Sequence, residues 1–390
     1  MKIGIVAGEA SGDLLGSQLI ATLKKRLPHV EFIGIAGPKM IGEGAKTLYA
    51  IEQLSVSGYI DVLKHLPSLL SLRKALLKRL LIEKIDLFIG IDAPDFNFWL
   101  EKKIKNKGIT AIHYVSPSIW AWRKGRIANI KKAVSHILAL FPFEPAFYEQ
   151  ASIPVTYVGH PLADMLPLEP NTAEARNFLK LKQNQIVITM LPGSRQGEVK
   201  QHAKLFISAA SLILESLSKE ENKEVVFLVP LITRETRVIF DKAFNEFLLT
   251  LDETQAIPAI TVMFGHAHDA MEAADFVIVA SGTATLEAAL LKKPMVITYH
   301  MSNLSWQILK RMRLQPYVGL PNILANRFVV PELLQDDATA ENIAQTCIQI
   351  LNNKNQLDDI KSEFLKIHQL LRQNTNEKAA EVILSYLNSM

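Results

Sequence analysis

The chain has 390 residues, 49% of them hydrophobic and 21% charged, with a formal net charge of +4. That length exceeds one ordinary core and the composition excludes a disordered chain, so two packed domains are expected. The single cysteine, Cys347, excludes an internal disulfide or a cysteine metal cluster, and the mild basicity alone makes no case for nucleic acid.

Met1-Lys-Ile-Gly-Ile-Val enters a strand at once, without an apolar leader, and no run of about eighteen uncharged apolar residues occurs. The expectation is a cytoplasmic protein, soluble or peripheral. Short apolar runs then alternate with helical patterns from end to end. Strands are expected at 3–7, 32–35, 87–91, 111–115, 137–140 and 155–158, and again at 186–191, 225–229, 260–264, 276–279 and 295–299. Most are continuously apolar, as parallel strands covered on both faces require. Alternation with helices implies doubly wound α/β sheets. Pro161, Pro167 and Pro170 mark a boundary, which gives Rossmann-like domains at 1–165 and 166–345 and C-terminal helices at 346–390. Ligands of such sheets bind beyond the carboxyl ends of the strands, so two facing sheets would share a central cleft.

In the first half, the loop after the opening strand carries Gly8, Gly12 and Gly16 at a spacing that is not the dinucleotide fingerprint. Glu9 and Asp13 would repel phosphate there and favour a sugar hydroxyl, while Ser11 and Asp13 read equally as helix caps. The segment from Tyr59 to Lys84 places Val62, Leu63, Leu66, Leu69 and Leu70 among Lys64, Arg73, Lys74, Lys78 and Arg79. That pattern fits a surface helix packed on a sheet, or shallow insertion among lipids. Gly90-Ile-Asp-Ala-Pro-Asp-Phe-Asn97 comes after a buried strand, with Pro94 stiffening the loop. Asp92 is read as a general base toward an alcohol, and Asp95 or Asn97 as a cap. His113 is read as a core residue. Trp120 and Trp122 are read as packing, with Arg123 open as a phosphate contact.

The second half twice sets a glycine turn between an apolar strand and a helix: Leu191-Pro-Gly193-Ser194-Arg195, and Ser281-Gly282-Thr283. Unpaired backbone N–H groups and the helix dipole suit a diphosphate, and Arg195 adds a planar cationic fork. Glu287, one turn on, reads equally as a ribose contact or a solvated carboxylate. The loop from Met263 through Phe264 to His268 is placed to clamp a base. The lone His266-Ala-His268 spacing is weak, and neither a metal nor another cofactor is predicted.

Together, Gly8–Asp13, Gly90–Asn97, Tyr114–Trp122, Gly159-His160-Pro161, Leu191–Arg195, Ala280–Ala284 and Leu320-Pro-Asn322-Ile-Leu-Ala325 resemble the lipid-A-disaccharide synthases. The resemblance implies a GT-B fold and inverting transfer of diacylglucosamine from UDP-diacylglucosamine to the 6-hydroxyl of diacylglucosamine 1-phosphate. It implies Asp92 as base, Arg195 on the donor diphosphate, Asn322 as a further residue needed for activity, and Glu9 on the acceptor or sugar side. It also implies a membrane-facing patch at 62–70, peripheral attachment to the cytoplasmic face of the inner membrane, and a homodimer through exchanged C-terminal helices. The rival readings are a UDP-N-acetylglucosamine 2-epimerase, a peptidoglycan-type N-acetylglucosaminyltransferase, or a non-catalytic UDP-sugar or lipid binder.

Overall fold

The computed structural model describes residues 1–54, 59–117, 124–220, 224–251, 256–280, 282–300 and 316–389, the side chains of 59–65, 124 and 218–220 excepted. The chain divides into two compact units: residues 1–164 with 370–390, and residues 165–369.

In the first unit, β1 (Lys2–Ala7), β2 (Glu31–Ile35), β3 (Ala45–Tyr49), β4 (Leu87–Ile91), β5 (Thr110–Tyr114), β6 (His136–Ala139) and β7 (Val155–Tyr157) form one sheet. Its order is β3-β2-β1-β4-β5-β6-β7, with every neighbouring pair parallel. All five residues of β4 are buried, which a strand covered on both faces demands. Leu19, Ile20 and Leu23 of helix Ala10–Arg26 share one core with Leu76 and Leu80 of helix Tyr59–Ile82 and Leu100 and Ile104 of helix Pro94–Lys105.

The last residues of the chain complete this core. Ala379, Ala380, Ile383 and Leu387 of helix Thr375–Asn388 are buried in it. Asp164 accepts from the backbone N–H of Asn374 at 3.0 Å and of Thr375 at 2.6 Å. His136 lies 3.1 Å from the Tyr386 hydroxyl through Nδ1 and 2.9 Å from Thr156 Oγ1 through Nε2. Burial holds its pKa down at about 4.

The second unit contains β8 (Ile186–Leu191), β9 (Val225–Leu231), β10 (Ile260–Phe264), β11 (Phe276–Ala280), β12 (Met295–Tyr299) and β13 (Glu332–Leu334). The order β10-β9-β8-β11-β12-β13 is again parallel throughout. At the amino ends of these strands buried cations tie turns together. Arg176 bonds Asp275 at 2.7 Å and the Ala273 carbonyl at 3.0 Å. Lys293 donates to Thr172 Oγ1 at 2.8 Å and the Ala274 carbonyl at 3.0 Å, and burial lowers its pKa to about 8. β3 and β13 were absent from the expected strands. Both are short edge strands with mixed burial, so neither shows the continuous apolar run that marks the interior strands.

Candidate active site

In each sheet the strand order turns back at one place, between β1 and β4 in the first unit and between β8 and β11 in the second. Helices leave in opposite directions there and open a crevice at the carboxyl ends of the strands. The loops at Gly8–Asp13, Gly90–Asn97, Gly193–Arg195 and Gly282–Thr283 lie at these two places, and the loop from Phe264 to His268 follows the edge strand β10.

In the first unit, Gly8 directly follows β1 and Asp92 directly follows β4. A β-carbon on Gly8 would meet the Ala93 β-carbon at 2.5 Å, so only glycine lets the two loops come together. Glu9 stands at the N-cap of helix Ala10–Arg26 in extended conformation with no side-chain cap bond, and Glu9 and Ser11 are both exposed. Asp13 is committed elsewhere. Its carboxylate accepts from the N–H groups of Lys39 at 2.9 Å and Met40 at 3.0 Å, and so caps helix Pro38–Gly42 rather than its own. Asp92 is half-buried and left-handed, with φ 50°, and Ala93 is next at φ 43°. The Asp92 N–H donates to the Tyr114 carbonyl at 2.9 Å, and Asn97 Nδ2 donates to the Asp92 carbonyl at 2.8 Å. Asp95 does not cap. It pairs with Arg126 at 2.9 Å. His113 is a core residue, but a polar one, 2.7 Å from the buried Glu101.

In the second unit, Gly193, Ser194 and Arg195 lead from β8 into helix Gln196–Glu220. Glu198, which the sequence reading passed over, bends back onto the turn. Its Oε2 accepts from the N–H of Ser194 at 2.9 Å and of Arg195 at 3.2 Å, and its Oε1 lies 3.0 Å from Arg195 Nη1. An acid in the first turn reaching back to the cap is the available sequence signal. Burial acts to raise the Glu198 pKa, but the Arg195 and Ser194 N–H groups and the Arg195 guanidinium outweigh it and the net shift is downward. These N–H groups are therefore fit to hold an anion, and here they hold a carboxylate.

After β11, Gly282 and Thr283 are exposed at the start of helix Ala284–Leu290, while Ser281 lies outside the described residues. Glu287 Oε2 is 3.0 Å from His268 Nε2, and this bond raises the His268 pKa, burial opposing it. His266 turns instead to Asp269 at 2.8 Å, so the two imidazoles serve different carboxylates. Among the described residues no three histidine, cysteine, aspartate or glutamate side chains gather around one point. Phe264, at the end of β10, is 47% exposed, with the Arg237 guanidinium 5.4 Å from its ring centre.

Asn322 is fully buried, and its amide is spent. Nδ2 donates to the Val330 carbonyl and to Glu332 Oε1, both at 2.9 Å, while Oδ1 accepts from the N–H of Val329 at 2.8 Å and of Val330 at 3.1 Å. That is the whole capacity of a carboxamide. On helix Tyr59–Ile82, Leu66 and Leu70 are 43% and 39% exposed and Leu69 is half-buried. The side chains of Val62, Leu63 and Lys64 lie outside the described residues, as do Trp120, Trp122 and Arg123.

The fold is one shared by nucleotide-sugar enzymes. MurG from Acinetobacter baumannii aligns with a TM-score of 0.58 at 14% identity, covering 98% of this chain and 99% of its own. UDP-GlcNAc 2-epimerase from Neisseria meningitidis, bound to UDP-GlcNAc, aligns at 0.60 and 13%, covering all of both chains. The class is GT-B: two parallel-sheet Rossmann-like domains. Sequence narrows the class. The profile of the Lipid-A-disaccharide synthetase family matches residues 3–385. A lipid-A-disaccharide synthase of Methylobacillus flagellatus is 62% identical over 385 residues, 99% of each chain. One of Aromatoleum aromaticum is 52% identical over 387 residues, 99% of this chain and 96% of its own. The chain belongs to the lipid-A-disaccharide synthetase family.

Proposed function

We propose that each unit has one task in an inverting glycosyl transfer, the first activating an acceptor alcohol and the second gripping UDP. The enzyme is a hexosyltransferase of lipid A synthesis. It moves 2,3-diacylglucosamine from its UDP carrier to the 6-hydroxyl of 2,3-diacylglucosamine 1-phosphate. The observation that carries this is full-length family membership, at 62% identity to a lipid-A-disaccharide synthase.

In this reading Asp92 takes the hydroxyl proton as the acceptor oxygen bonds to the anomeric carbon. The bond from that carbon to the β-phosphate oxygen breaks, and its electron pair leaves with UDP. Charge growing on the diphosphate is met by the N–H groups of Ser194 and Arg195, the Arg195 guanidinium and the amides near Ser281, Gly282 and Thr283. Gly193 lets the diphosphate approach. Glu287 takes the ribose hydroxyls and the loop at Phe264 the base. Glu9 and Ser11 face the acceptor sugar. Asn322 acts at one remove, by holding the 329–332 segment. Val62, Leu63, Leu66, Leu69 and Leu70 meet acyl chains at the cytoplasmic face of the inner membrane. In a homodimer formed by exchange, the partner's helix would take the seat that helix Thr375–Asn388 fills in its own chain.

A two-substrate assay for UDP and disaccharide, each lipid omitted in turn, tests the reading. Product must require both lipids. Equal turnover of an unacylated UDP-sugar donor would return the chain to the epimerase or plain glycosyltransferase class.

A further inference from the structure

Behind the Asp92 loop lies a buried polar cluster with no part in the chemistry of transfer. Glu101 and His113 are each 0% exposed, with Glu101 Oε1 2.7 Å from His113 Nδ1. Burial pushes the Glu101 carboxyl up, and His113 opposes the shift. Glu101 Oε2, His113 Nε2 and Asn97 Oδ1 all lack a hydrogen-bond partner among the described residues. Stability does not explain such a pair, because desolvation commonly exceeds the Coulombic gain and apolar residues of similar size serve as well or better.

What the pair touches is more telling. His113 sits beside Gly90 in the β4–β5 register. A β-carbon on Gly90 would overlap Glu101 Oε1 and stand 3.0 Å from Asn97 Cβ, so both side chains rest directly on bare backbone. Asn97, one helical turn before Glu101, carries the Nδ2 that holds the Asp92 carbonyl at 2.8 Å. Two consecutive left-handed residues that are not glycine strain the backbone, and persist only where the surroundings hold them.

We infer that Glu101 and His113 are positioning residues, which seat helix Pro94–Lys105 over Gly90 so that Asn97 holds the strained Asp92 turn in its working conformation. The inference rests on Asp92 being the base, so Asp92→Asn is measured alongside. The decisive variant is Glu101→Leu with His113→Leu, assayed for kcat, both KM values, UDP affinity and Tm. Expected are a Tm no lower than that of the parent, a kcat down about 100-fold, as a displacement near 1 Å produces, and unchanged UDP affinity. Glu101→Gln, which can still bond the imidazole, should restore most of the turnover. A folded double variant with parental kcat overturns the inference. Should the double variant not fold, Asn97→Ala decides: lost turnover in a folded protein upholds it, and parental turnover overturns it. Parental turnover in Asp92→Asn would instead remove the base assignment, whatever the double variant does.

Discussion

Glu198→Gln tests whether a donor diphosphate proposed for the Gly193–Arg195 turn competes with the Glu198 carboxylate for the same N–H groups. The carboxylate holds Ser194 N, Arg195 N and Arg195 Nη1 at 2.9, 3.2 and 3.0 Å. Hydrogen bonds to a charged group contribute about 1.5–3 kcal/mol net, against about 1 for neutral partners. An amide keeps one acceptor and loses the charge, so the hold on the turn weakens by about 1–2 kcal/mol. Because the diphosphate must release that hold, UDP should bind about 5- to 30-fold more tightly to the variant. The loss of an acid reaching back to the helix cap works the other way on stability, by about 1 kcal/mol. Titration calorimetry with UDP at fixed ionic strength measures the first effect and thermal melting the second. Unchanged or weaker UDP binding would refute the competition and show either that the diphosphate sits elsewhere or that Glu198 itself grips the ligand.

Asp92→Asn should lower turnover about 10²- to 10⁴-fold with UDP affinity intact, as steady-state kinetics and calorimetry will show. Arg195→Ala should weaken UDP binding together with turnover, by about 1.5–3 kcal/mol, because its contact exists in ground and transition states alike; equal UDP affinity removes it from the donor site. Leu66→Ser with Leu70→Ser should reduce flotation with anionic vesicles while leaving UDP binding untouched, and parental flotation would exclude those leucines as the anchor. Burial holds His136 at about 4 and His160 likewise. As pH falls the unfolded chain takes up these protons first, so the stability of the first unit is full above about 6.5 and drains away toward 4. Allowing for screening of the half-buried ring, His136 accounts for about 2 kcal/mol of that loss. Denaturant titrations at pH 7.5 and 5 should show a smaller pH effect in His136→Gln.

The interior strands were legible because burial on both faces leaves an unbroken apolar string, as in Leu87–Ile91. The same property placed Asp92 and Gly193–Arg195, since the residues just past the end of such a string lie at the ligand end of the sheet. β3 and β13 left no such trace. Side-chain partnerships across the fold were hidden for a different reason. Asp13 caps a helix that begins 25 residues further on, at Pro38. Glu101 finds His113 only because helix and strand pack together, and Asn322, which the resemblance marks only as implicated in activity, shows its four bonds only in the fold. Glu198 was within reach of sequence reasoning. The same turn that suits an external anion has an acid three residues past Arg195 placed to fill it.

The first unit is interrupted: its sheet is built from residues 1–164, yet its core is closed by residues 370–390. During synthesis the whole of the second unit leaves the ribosome before the first has its last helix. Until then the seat of Ala379, Ala380, Ile383 and Leu387 stays open as a greasy furrow on a nascent domain. A ribosome halted near residue 369 would thus display a finished second unit attached to an unfinished first one. Such a chain is a natural client for chaperones and proteases, and loss of the final helix at the gene level would strike the first unit rather than the second, beside it in sequence.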